Sequence, residues 1–223
     1  MIADELVARA LRLADAAGHR VLLGIAGGPG AGKTTLAVGL VERLCAARPE
    51  EPAFAAHVPM DGFHLADAEL DRLGIRDRKG AVDTFDGWGY LTLLQRLTRP
   101  TRPGEVVYAP AFERDLEQPL AGAIAVRAAT RVIVTEGNYL LVDAEPWRSV
   151  RAALDEVWFC RLPHTTRLDR LTARHRRFGK SPAAARAWAA GPDERNAELI
   201  EPTAARADLQ VADGFVVDTE SGR

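Results

Sequence analysis

The sequence predicts an α/β fold, a central parallel sheet with helices on both faces, and two observations carry that expectation. Apolar bursts of strand length, VLLGIA (21–26), FAAHV (54–58), RVIVTE (131–136) and EVWFC (156–160), alternate with longer stretches of helical period. The first burst runs through a glycine-rich loop directly into the helical TTLAVGLVERLCAA (34–47). Runs that are apolar throughout suit strands covered on both faces, as crossover helices cover them.

The remaining elements follow in order. MIADELVARALRLADAAGHR (1–20) sets acids and arginines among apolar residues, which predicts an amphipathic helix and lacks the unbroken apolar core of a signal peptide. Residues 74–127 loosen into Gly, Pro and charges, and read as a substrate-facing insertion carrying a helix over 89–99 and a short strand pair. From Thr165 to Thr203 the chain is Arg- and Ala-rich and helical in period, broken near residues 179–182 and again near 191–192. DLQVADGFVVD (208–218) predicts an edge strand or hairpin closing the sheet. No repeat or low-complexity linker interrupts the 223 residues, so one domain is expected over 1–223.

Acids and bases nearly balance, at a formal charge of −2, and give no reason to expect nucleic acid or membrane as a partner. No run reaches membrane-spanning length. Cys45 and Cys160 stand far apart without CxxC spacing, which argues against a disulfide framework or a zinc site. Buried thiols in a reducing cytoplasm are the expectation.

GIAGGPGAGKTT carries chemistry. Gly27, Gly32, Lys33 and Thr34 satisfy G-x-x-x-x-G-K-[ST] between a strand and a helix, the signature of a P-loop NTPase fold. Glycines let backbone N–H groups turn inward around phosphate oxygens, and the helix N-terminus adds partial positive charge. The expected ATP-binding residues are Gly28, Pro29, Gly30, Ala31, Gly32, Lys33, Thr34 and Thr35. Lys33 would reach the β- and γ-phosphates, and the Thr34 hydroxyl would ligate Mg²⁺. A turn that merely joins strand to helix needs no Lys-Thr pair after its last glycine. No Asn-Lys-x-Asp selects guanine, and no Walker B of the motor-ATPase kind is present. A lone acid, Glu136, ends the RVIVTE strand, where it either holds Mg²⁺ through a water or is simply solvated.

PMDGFH (59–64) follows the second strand, whose end can lie beside the phosphate loop. Asp61 there suits the base that accepts or orients the proton of an attacking hydroxyl, with Gly62 turning the backbone and Phe63 and His64 lining an acceptor pocket. The alternative is a plain Asx turn with a core Phe.

Together GIAGGPGAGKTT, PMDGFH, DRKGAVDTFD, YAPAFER, VIVTEGNYLL, RLTARH and NAELIEPTAARADLQV resemble the superfamily of uridine kinases, phosphoribulokinases and type I pantothenate kinases, from about Val21 to Val211. The resemblance is greatest to its nucleoside/nucleotide-kinase-like branch. It implies an ATP- and Mg²⁺-dependent kinase acting on a small-molecule hydroxyl, with Asp61 as general base and an Arg-rich lid over the phosphates, about residues 165–192. It leaves a homodimer open, since family members are often dimers or tetramers. Helical spacing supports the lid independently: Arg167, Arg170, Arg174 and Arg177 recur at three- and four-residue steps, and guanidiniums suit phosphate oxygens. At least one of Arg170 and Arg174 is expected in the active site, although a solvated basic face is the usual meaning of such a run.

On the acceptor side, Arg78 and Lys79 either bind an anionic group or are ordinary loop charges. Asp83 offers a carboxylate for acceptor hydroxyls, and Tyr108 and Phe112 form either an aromatic wall or a core pair. Asn196 matches a late pocket residue of pantothenate kinases by resemblance only. Trp147, Trp158 and Trp188 are assigned to packing. Uridine kinases carry Asp-Ser-Phe-Tyr where this chain has Asp-Gly-Phe-His, which weakens uridine as the acceptor. The expectation is a kinase for a nucleoside, sugar or pantothenate-like hydroxyl, and its rival is a nucleotide-binding regulatory switch with no acceptor.

Overall fold

VLLGIA becomes strand β1 (Val21–Ala26), buried at all six positions, in a computed structural model that describes residues 2–99, 102 and 104–217. The other strands are β2 (Ala55–His57), β3 (Val106–Glu113), β4 (Gln118–Arg127), β5 (Val132–Gly137), β6 (Glu156–Arg161), β7 (Leu209–Ala212) and β8 (Phe215–Val216). Six of them form one sheet in the order β2-β5-β1-β6-β7-β8. Its first five strands run parallel, and β8 returns antiparallel on β7 as the expected edge hairpin.

The helices are α1 (Asp4–Ala16), α2 (Lys33–Ala47), α3 (Asp67–Leu73), α4 (Gly87–Thr98), α5 (Trp147–Ala152), α6 (His164–Arg177), α7 (Pro182–Ala190) and α8 (Pro192–Ile200). Successive strand side chains point to opposite faces, so each strand feeds two cores. Leu22, Ile133, Val157 and Phe159 pack with α4 through Tyr90, Leu94 and Leu97. Leu23, Ile25, Val134 and Trp158 pack with α1 and α2 through Leu6, Ala10, Leu36 and Leu40. Both faces are covered, which is why the strand segments are apolar without alternation.

Local signals set the helix ends. Asp86 caps α4 by accepting from the Gly89 N–H, and Ser181 caps α7 with Pro182 behind it. The latter is the physical content of the break expected near 179–182. Among the described residues, no helix is long and apolar enough to cross a membrane.

The insertion differs from expectation in one respect. Its strand pair is not short: β3 and β4 span eight and ten residues and form a two-stranded antiparallel sheet of their own. Its root is held by Arg20, a buried side chain that donates to the carbonyls of Leu97 (2.9 Å), Arg127 (3.0 Å) and Thr130 (2.8 Å). One guanidinium thus joins the end of α4 to the exit of β4. Arg20→Met is expected to lower stability by about 2–4 kcal/mol, because it leaves buried carbonyls without donors. Urea unfolding of the two proteins measures the loss, and an unchanged midpoint would mean the insertion is anchored elsewhere.

Candidate active site

β1 ends at Ala26 and the chain turns through residues 27–32 into α2. Gly32 is the N-cap at φ 91°, ψ 13°, a left-handed conformation that glycine adopts without steric cost. Lys33 is 8 % exposed, and its Nζ donates to the Gly28 carbonyl (3.1 Å) and to Asn138 Oδ1 (2.7 Å). Burial pushes the ammonium below its ordinary pKa, against the opposing pull of Glu136 and Asp61.

β5 lies directly beside β1, with Glu136 opposite Ile25 and Gly137 opposite Ala26. That register brings the Thr34 hydroxyl to donate to Glu136 Oε1 at 2.9 Å. Glu136 is 4 % exposed. Burial first, and then the charge of Asp61, push its carboxyl up to about 7, against Lys33 and Thr34. His57, at the end of β2, lies 3.8 Å from the same carboxylate, and burial pushes its ring down to about 4.

Asp61 sits in a 3₁₀ turn, Met60–Phe63, just past β2. Gly62 lies in the turn the sequence predicts, but its φ is outside the left-handed region, so the turn itself does not require glycine. What it supplies is close approach: a Cβ there would stand 2.4 Å from the Pro110 carbonyl oxygen of β3. The hairpin therefore presses on the turn, and Arg114, just beyond β3, donates from Nη2 to Asp61 Oδ2 at 2.7 Å. Burial would raise the Asp61 carboxyl, but His64, Arg114, Lys33 and Arg174 outweigh it and hold the group below the usual carboxylate range.

Two cavities flank this cluster. The larger, about 620 Å³, runs along the phosphate loop and is walled by Arg170 and Leu171 of α6 and by Asp213 and Gly214 of the β7–β8 turn. The smaller, about 380 Å³, is lined by Asp61, His64, Lys79, Phe112 and Asn196 among others. Gly30, Lys33, Thr34, Arg114 and Arg174 line both. Arg170 reaches to 3.5 Å from Asp213 across the mouth of the larger cavity.

Most expected acceptor-side residues converge on the smaller cavity. His64 packs between the rings of Phe85 (4.0 Å between centroids) and Phe112 (4.8 Å). Lys79 bonds Asp67 at 2.6 Å and lies 5.4 Å from the centre of the Phe112 ring. Asn196 donates to the Gly80 carbonyl at 3.1 Å. Three expectations are corrected. Arg78 and Asp83 line neither cavity: they lie on successive 3₁₀ turns, Arg76–Arg78 and Val82–Thr84, and pair with each other at the surface, 3.0 Å apart, while Arg76 lines the cavity instead. Tyr108 is 60 % exposed, since its strand neighbours Val107 and Ala109 take the inward positions. Trp188 lines the smaller cavity, with Lys180 4.4 Å from its ring centre, so it is not solely a packing residue.

No protein-family model matches the chain. It is 39% identical over 133 residues to the ATP-dependent kinase-like protein notR' of Aspergillus versicolor, covering 57% of this chain and 77% of that protein. It is 34% identical over 176 residues to a Schizosaccharomyces pombe protein named "Putative uridine kinase", covering 77% of this chain and 73% of that protein. The crystal structure of a "putative fructose transport system kinase" from Silicibacter sp. TM1040 matches with a TM-score of 0.81 at 37% identity, over 92% of this chain and 98% of that one. The chain belongs to the uridine-kinase-like superfamily of P-loop kinases.

Besides Arg76 and Trp188, two residues that hold the centre of this P-loop kinase site escaped the sequence reading. Asn138 holds Lys33, and its only signal was a polar residue at the carboxyl end of a central strand. Arg114 closes the YAPAFER stretch, yet nothing in that spacing says it turns back onto Asp61. The close contact at Gly62 makes a direct prediction. Gly62→Ala is expected to cost about 1–3 kcal/mol, as overpacking against a backbone that cannot rotate away. Urea unfolding tests it, and a variant as stable as wild type would show that the hairpin yields freely.

Proposed function

We propose that this chain is an ATP- and Mg²⁺-dependent kinase that transfers the γ-phosphoryl group to a hydroxyl of a small molecule. The observation that carries the proposal is the meeting of the two cavities at Lys33, Thr34, Arg114 and Arg174, with the Asp61 carboxylate facing the smaller one. A nucleotide switch has no use for a second cavity with an ionised acid at its junction with the first. A cavity of about 380 Å³ suits an acceptor of the size of a sugar, a nucleoside or a pantothenate-like molecule.

Each residue then has a task. The loop amides and Lys33 bind phosphate oxygens, and the buried ammonium is worth more there than in water. Asp61, held ionised, takes or orients the acceptor proton. Arg170 and Arg174 place guanidiniums beside the transferring group, where negative charge is spread in the transition state. Thr34 and Glu136 are oxygen donors of the kind a hard cation accepts, and they lie together at the base of the phosphate loop. Bound Mg²⁺ would neutralise charge on the β- and γ-phosphates.

Two measurements test the proposal. ADP release with Mg·ATP is followed across nucleosides, pantothenate, sugars and sugar phosphates, for wild type and Asp61→Asn. One acceptor is expected to raise turnover well above the water background, and the variant to lose about 10²–10⁴-fold in kcat. Wild-type turnover that no acceptor raises, with the variant indistinguishable from it, would favour a nucleotide switch. Chelation with EDTA is expected to abolish transfer and added Mg²⁺ to restore it; transfer that persists in EDTA would remove Thr34 and Glu136 from the metal role.

A further inference from the structure

The geometry points to Arg114 as a ligand of the transferring γ-phosphoryl, delivered by the β3–β4 hairpin from the acceptor side, opposite the arginines of α6. This assignment rests on the kinase reading above and adds a contact which that reading does not contain. Arg114 comes from the β3–β4 hairpin, a two-stranded sheet separate from the central sheet and from the lid.

Three observations support it. Arg114 is among the five residues that line both cavities, which puts its guanidinium where donor and acceptor must meet. Its fork is only partly used: Nη2 donates to Asp61 Oδ2 at 2.7 Å, while a guanidinium carries five N–H donors, and no other hydrogen bond from it is present among the described residues. Its direction is fixed, because its Cζ lies 4.8 Å from the centre of the Phe112 ring.

A further observation concerns its neighbour. Arg174, which lines both cavities together with Arg114, has no acidic partner within salt-bridge distance among the described residues. Burial lowers the Arg174 pKa, Asp193 opposes that, and the charge of Arg114 lowers it further. Two guanidiniums that repel across one cleft favour a multiply charged anion between them, and a terminal phosphoryl group is such an anion. In this role Arg114 keeps its proton throughout: it donates hydrogen bonds to the phosphoryl oxygens while it holds Asp61 anionic beside them. No bond is made to it or broken.

The test separates the terminal phosphate from the rest of the nucleotide. Affinities for Mg·AMPPNP and Mg·ADP are measured by calorimetry on the full chain, for wild type, Arg114→Ala and Arg114→Lys. Arg114→Ala is expected to weaken AMPPNP about ten- to a hundredfold, the scale of a lost hydrogen bond between charged groups, and ADP by less than about twofold. Arg114→Lys recovers part of the loss, since it keeps the charge and gives up the fork. In an Asp61→Asn background Arg114→Ala is expected to retain its selective effect, which a role exercised only through Asp61 would not allow. An unchanged ratio of the two affinities, or equal weakening of both, would overturn the assignment. If Arg114→Ala fails to fold, the same ratio in Arg114→Lys and Arg114→Gln decides it. The acceptor panel judges the kinase reading separately: a selective loss of AMPPNP in a chain that phosphorylates nothing keeps the Arg114 contact and discards the kinase.

Discussion

The site depends on one constraint, the burial of two ionisable side chains, Lys33 and Glu136, beneath the phosphate loop. Charges withdrawn from water are tolerated only when paired and hydrogen-bonded. Lys33 finds the Gly28 carbonyl and Asn138, and Glu136 finds the Thr34 hydroxyl. These bonds cross from α2 to the end of β5 and are possible because β5 lies next to β1 in register. The sheet order then does the rest: β2 is the outer neighbour of β5, so the turn after β2 delivers Asp61 to the same rim.

The hairpin closes that rim from a different direction. Arg20 fixes its root through four carbonyls, of α4, the end of β4 and the loop that follows it, and Gly62 lets the Pro110 backbone sit on the turn that carries Asp61. Beyond the Pro110 contact, toward the hairpin tip, Phe112 and Arg114 are brought over the acceptor-side cavity. The hairpin is thus held at its root and at mid-strand while the side chains beyond reach into the cleft.

The helical segment after β6 divides its arginines by depth. Arg167 is buried and paired with Glu194 of α8, and His175 meets Asp193 at 2.7 Å, so α6 and α8 are joined at two points. Arg170 and Arg174, three and seven residues further on from Arg167, line the larger cavity. One helical spacing therefore serves two purposes, since the first arginine of the run secures the helix and the next two face the cleft.

Local chemistry was legible in the sequence wherever a residue's neighbours along the chain decide its role. The phosphate loop, the strand-end Glu136, the helix breaks at Ser181-Pro182 and Gly191-Pro192 and the doubly covered strands all rest on short-range geometry. The tertiary structure alone decided the long-range contacts: Arg20 with the root of the hairpin, Arg114 with Asp61, and Asn138 with Lys33. It also turned Arg78, Asp83 and Tyr108 outward and Trp188 inward, with Tyr108 set by strand facing and Arg78 and Asp83 paired with each other. The physical reason is the same in each case: a spacing along the chain fixes which side of an element a residue occupies, but not which other element packs against that side.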